Sequence, residues 1–137
     1  MTISPTPNLI ETTDASGNTS TSYTLALNQS LQGLIASPSD VDFYKVSLVA
    51  GQTYTFALIG TGANFLSDPI LNLRDASGNI LRTNDDGGVG LSSLITFTAT
   101  QSGTYYLDAA GLSSSTGQYG LSMTQGTNAS FDLPMAA

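Results

Sequence analysis

The side chains of this 137-residue chain that could do chemistry are nearly all carboxylates: ten Asp and Glu stand against three Lys and Arg, with no His and no Cys. Eight of the ten fall into two groups. Asp40 and Asp42 stand in "PSDVDFYKV", where a loop runs into an alternating segment, and Glu11 and Asp14 occupy the N-terminal stretch. A second, weaker group is Asp68 in "SDP", Asp85 and Asp86 in "NDDGG", and Asp108 in "YYLDA". Hard cations such as calcium take six to eight oxygens from carboxylates, amides, backbone carbonyls and water. Acidic loops without His or Cys therefore suit calcium and do not suit the usual zinc sites. Neither group has the spacing of a helix-loop-helix calcium loop or of a repeated calcium nonapeptide. Asp and Asn also cap turns and keep an acidic surface soluble, so turn chemistry stands beside metal binding as a reading of both groups.

The same inventory excludes several functions. Without His as base, Cys as nucleophile or a Ser in a G-x-S-x-G elbow, the usual hydrolase constellations cannot be assembled, and the chain reads as a non-enzyme. A glycosidase needs two carboxylates facing each other across a cleft, whereas Asp85 and Asp86 are neighbours in one loop. A net charge of −7 repels nucleic acid and anionic membranes alike. The polar opening "MTISPTPNLIETT" is neither a membrane span nor a secretory leader, so an export signal is expected to lie elsewhere or to have been removed.

The elements that position these groups are strands. Ser, Thr and Gly are abundant, and runs such as "TYTFALI" put Tyr54, Phe56 and Leu58 on one face and Thr53, Thr55 and Ala57 on the other. Similar runs at "SYTLAL", "SLQGLI", "DFYKVSL", "ILNLR", "NILRT", "LITFTA", "TYYLDA" and "QYGLSM" predict an all-β antiparallel β-sandwich, jelly-roll-like, of about nine short strands. The pentapeptide "DASGN" occurs at residues 14–18 and again at 75–79. The second copy lies between two strand runs and reads as a hairpin turn; the first has no such flanks. Tyr54, Tyr105 and Tyr119 read as packing residues, with Tyr44 and Tyr106 the better candidates for surface contacts.

The succession "LQGLI…DVDFYKVSLVAGQTYTFAL", "LSDPILNLRDASGNILRTNDDGG", "SSLITFTATQSGTYYLDAAG" and "TGQYGLSM" resembles the bacterial pre-peptidase C-terminal domain family over roughly residues 10–125. Members are small β-sandwiches similar to the collagen-binding domains of clostridial collagenases, and are appended to secreted bacterial proteins. The resemblance implies calcium at Asp40 and Asp42, joined by the N-terminal acidic residues Glu11 and Asp14. The first "DASGN" would then contribute a ligand. Phe43 stands where the family commonly has Trp.

The resulting expectation is a calcium-stabilised, secreted, extracellular module that binds a polymer or protein surface, with no nucleic-acid partner and no membrane insertion. The alternative is a matrix, filament or adhesion subunit whose partner is a copy of itself, polymerising by terminal strand addition at an open sheet edge. The expected organisation is an extended tail over 1–9, one domain over 10–125 and a C-terminal tail over 126–137. Sequons at Asn18, Asn28 and Asn128 are expected by chance in a chain so rich in Ser and Thr.

Overall fold

Period-two alternation becomes nine strands in the computed structural model, which describes residues 9–86 and 92–125. They are β1 (Leu9–Ile10), β2 (Ser30–Ile35), β3 (Val41–Leu48), β4 (Thr53–Gly60), β5 (Pro69–Arg74), β6 (Ile80–Asn84), β7 (Ser93–Thr98), β8 (Gly103–Gly111) and β9 (Gly117–Gln125). One sheet has the order β1-β2-β9-β4-β7 and the other β3-β8-β5-β6. Pairing is antiparallel except where β1 lies parallel to β2. The chain is thus an all-β sandwich. Among the described residues no helix is long and apolar enough to cross a membrane. The expected tails, apart from Leu9, and the sequon at Asn128 lie outside the described residues.

Inward positions of both sheets share one core. Leu31, Ile35, Phe56, Leu58, Tyr119 and Leu121 from the first sheet meet Tyr44, Val46, Leu71, Leu73 and Leu107 from the second, all essentially inaccessible. At about 25 cal/mol per Å² of apolar area, burial of this set is the main stabilising term of the fold.

The second sheet is covered on its outer side as well. Phe43, Tyr106 and Asp108 point outward from β3 and β8, yet all are buried. The Arg74 guanidinium lies 5.0 Å over the Phe43 ring, which is 6.3 Å from that of Tyr106. The loop after β1 bonds to β3 through the Phe43 amide donating to the Ser16 carbonyl. It reaches the β5–β6 turn, where a Cβ on Gly78 would stand 3.5 Å from the Thr19 methyl. The two "DASGN" stretches are thereby neighbours in space. The second is a hairpin turn: Asp75 accepts from the Ser77 and Asn79 amides, and Gly78 takes a positive φ of 90°.

Two expectations need correction. "SYTLAL" makes only an isolated bridge, Thr24 to Lys45, because a turn at Ala26–Gln29, with Asn28 left-handed at φ 63°, redirects the chain into β2. The ninth strand is β1 instead. Tyr44 and Tyr106 are not surface residues, being 0% and 7% exposed. Tyr44 shares the inward register of β3, and Tyr106 packs beside Phe43 on the covered outer side of its sheet, in register with Arg74.

Candidate metal centre

Alternation along β3 places Asp42 in register with Tyr44 and Val46, so a carboxylate enters the end of an apolar core and is wholly inaccessible. Its Oδ2 accepts a hydrogen bond from the Tyr119 hydroxyl at 2.6 Å. The Tyr44 hydroxyl bonds in turn to that of Tyr119. Since the Tyr119 hydroxyl hydrogen points to Asp42, Tyr44 is the donor in that pair. Tyr119 reaches Asp42 across Gly33, its direct partner on β2; a Cβ there would lie 2.3 Å from the tyrosine Cζ and Oη. Asp42 Oδ1 is buried and accepts no hydrogen bond within the protein.

Glu11 and Asp14 are brought to Asp42 by the segment that follows β1. Parallel pairing continues one residue beyond the strand, with the Glu11 amide donating to the Gln32 carbonyl. The Glu11 carboxylate accepts from the Leu34 amide at 2.8 Å and the Ala15 amide at 2.7 Å, which fixes its orientation. Tyr23 holds the turn between them, its hydroxyl accepting from the Thr12 and Thr13 amides and donating to the Thr13 carbonyl.

One carboxylate oxygen from each of Glu11, Asp14 and Asp42 lies within 4.8 Å of the others. Burial, reinforced by the charges of Glu11 and Asp40, pushes the Asp42 carboxyl up to about 9, and burial also raises Glu11. In the protein alone, then, the cluster favours a proton on Asp42. A dication would satisfy the same site differently, by neutralising the repulsion and coordinating the orphaned Oδ1. All donors are oxygens, and a mutual separation of no more than 4.8 Å is within the reach of one calcium ion with ligands at about 2.4 Å, so the residues fit that ion.

Asp40 is placed otherwise. Its Oδ2 accepts from the Ala36 amide at 2.9 Å while its own amide donates to the Ser37 carbonyl, closing the turn into β3. It acts on Asp42 through its charge and is not among the three converging carboxylates.

The second group does not converge in this way among the described residues. Asp108 is engaged by Arg74 and by the Asn72 amide nitrogen, at 3.0 Å for the latter. Burial nonetheless raises its carboxyl above the ordinary range. Asp68 has a buried Oδ1 without a hydrogen-bond partner in the protein. Desolvation and the charges of Asp85 and Asp68 push Asp86 up. The glycines following Asp86 lie outside the described residues.

Sequence reasoning missed Tyr23, Tyr119 and Gly33 as parts of this centre. The only local signal was polar punctuation of inward strand positions: Asp42 in β3 and Gly33 in β2 each break an apolar column.

Comparison with known proteins places these features in a family. The model of the bacterial pre-peptidase C-terminal domain matches residues 40–111, which contain Asp40 and Asp42 and run from the start of β3 to the end of β8. A probable subtilase-type serine protease of Deinococcus radiodurans is 39% identical over 80 residues, which are 56% of this chain and 11% of the protease. The chain thus spans about a tenth of that relative's length. The pre-peptidase C-terminal domain of Bacillus anthracis collagenase superposes with a TM-score of 0.59 at 18% identity, covering 74% of this chain and 92% of that domain. CorA, a surface-associated copper-binding protein of Methylomicrobium album, has the same fold at a TM-score of 0.52 and 13% identity, covering 73% and 96% of the two chains. With its family match spanning more than half its length, the chain belongs to the bacterial pre-peptidase C-terminal domain family.

Proposed function

We propose that the chain is a non-catalytic accessory module of a secreted bacterial protein, stabilised by calcium held at Glu11, Asp14 and Asp42. The observation that carries this is the orphaned Oδ1 of a fully buried Asp42 facing two further carboxylates. Two of those carboxylates come from the segment after β1 and one from β3, so an ion there fastens that segment to the sandwich. Calcium supplies charge neutralisation and oxygen coordination; the protein's part is to aim Asp42 with Tyr119 and Glu11 with two backbone amides.

The absence of His and Cys, and the engagement of Asp108 by Arg74, support a binding role over a catalytic one. The likeness to part of a subtilase-type protease supports an extracellular setting beside an enzyme.

Thermal unfolding in excess chelator and in millimolar calcium tests the reading. An ion at a hundredfold its dissociation constant stabilises by about 2.7 kcal/mol, which moves the midpoint of a domain this size by several degrees. Asp42→Asn should remain folded in chelator and lose that increment. An unchanged midpoint in the unaltered chain would reduce the cluster to a proton-sharing structural feature.

A further inference from the structure

We propose that the outer face of the β1-β2-β9-β4-β7 sheet is a self-association surface on which a second copy of this chain stacks face to face. The first observation is electrostatic. None of the five strands contains an Asp, Glu, Lys or Arg, in a chain that carries ten acidic and three basic residues. The other sheet carries Asp42, Lys45, Arg74, Arg82 and Asp108. For a molecule of net charge −7, the uncharged face is the one on which two copies can meet without repulsion.

The second observation is relief. At the middle of the central strand β9 the outward residues are small, Gly120 and Ser122, flanked by Gln118 and Thr124 toward its ends, and a hollow of about 270 Å³ lies over the small pair between Gln32 of β2 and Ala57 and Ile59 of β4. The register sets Gln32, Gly120 and Ile59 in one row, with Ser122 opposite Ala57 and Ala57 opposite Leu94 in the next. Large aliphatic side chains stand exposed on both sides of this trough: Ile10 (56%) and Leu34 (46%) on one, Ile59 (44%) and Leu94 (39%) on the other. A two-fold axis parallel to the strands and lying above the line between β9 and β4 sets Ile59 of each copy over Gly120 of the other and Leu94 over Ser30, which is the self-complementarity an isologous contact needs.

The third is size. Five strands about 4.8 Å apart, with some six residues each rising about 3.4 Å, offer roughly 500 Å² per copy. Burying two such faces gives roughly 1,000 Å², the lower limit for a specific interface, so the dimer forms at high concentration. Stacked this way, the charges at Asp75, Arg82 and Asp108 belong to the far sheet of each copy. Sheets stack about 10 Å apart, beyond the screening length of about 8 Å at physiological salt.

Sedimentation velocity of the whole chain from micromolar to millimolar concentration in physiological salt is the test, with Ile59→Glu plus Leu94→Glu as the disrupting variant. Val49→Glu, equally exposed but off this face, serves as control. The unaltered chain and the control should shift toward dimer mass, and the double variant should associate at least tenfold more weakly at an unchanged unfolding midpoint. A chain that stays monomeric throughout, or a dimer indifferent to the double variant, overturns the proposal. So does a monomer whose binding to an insoluble neutral polysaccharide is lost in the double variant, because the occupant is then that polymer.

Discussion

The Tyr119 hydroxyl donates to Asp42 at 2.6 Å across the sandwich, joining the central strand of one sheet to the edge strand of the other inside the core. Tyr44 completes the chain, so the two hydroxyls and Asp42 Oδ2 are partnered in an apolar interior while Asp42 Oδ1 is not. Tyr119→Phe removes the middle link and leaves Tyr44 and Asp42 Oδ2 short of a partner. Loss of a buried hydrogen bond with orphaned partners costs about 1–3 kcal/mol. Urea denaturation should show that loss in chelator. With calcium, a reduced ion-dependent increment is expected as well, because Asp42 is no longer aimed.

Gly33 should prove as demanding as the tyrosine it faces. A Cβ at this position would stand 2.3 Å from Tyr119 Cζ and Oη, too close for any side chain to be accommodated without moving the ring. Overpacking of this kind costs about 1–3 kcal/mol. Gly33→Ala should therefore destabilise comparably to Tyr119→Phe. Gly120→Ala, whose added carbon would meet the flexible Thr61 methyl at 3.3 Å and only ordinary contacts at Ile59 (3.7 Å) and the Leu31 carbonyl (3.9 Å), should be nearly neutral by the same urea measurement.

Which parts were legible follows from how many sides of each element are covered. Strands β2, β4, β7 and β9 alternate cleanly because one face is core and one is open, and the sandwich could be read from them. In β3 and β8 the adjacent pairs Phe43–Tyr44 and Tyr105–Tyr106 are buried on both faces, so alternation no longer says which residue points inward. Asp40 and Asp42 share a parity, yet one closes a turn and the other enters the core. Only the place where β3 begins separates them, and strand limits are the least legible feature of a sequence. Glu11 and Asp14 were candidates by residue type, but only family resemblance joined them to Asp42, since a parallel strand of two residues leaves almost no pattern. Tyr119 lies 77 residues from Asp42, a separation over which sequence alone shows no pairing.

Arg74 supports a second polar cluster, apart from the Glu11–Asp14–Asp42 carboxylates. Its guanidinium pairs with Asp108, donates to the Gly78 carbonyl at 2.8 Å and lies over Phe43. Arg74→Met keeps most of the stem but leaves a nearly inaccessible carboxylate with Asn72 as its remaining partner. Breaking a buried pair from one side costs about 3–5 kcal/mol, and the partly exposed arginine puts this case near the lower end. The loss should be the same in chelator and in calcium. Adding Asp108→Asn to Arg74→Met should recover part of it, as read by urea midpoints.

Stability of the calcium-free chain should fall as pH rises. Asp42 binds its proton in the folded state up to about 9, against about 3.9 in an unfolded chain, so between those values the native state holds the extra proton. Its contribution is fully present below the unfolded value and is lost progressively as pH climbs through the folded one. Glu11, raised by burial in the same cluster, acts in the same direction. In chelator the unfolding midpoint should therefore decline between about pH 5 and 9, and Asp42→Asn, which cannot titrate, should flatten most of that slope. Calcium competes with the proton for the same oxygens, so the gap between calcium and chelator should widen with pH. A calcium increment that is constant from pH 5 to 9 would mean that the ion binds elsewhere than at Asp42.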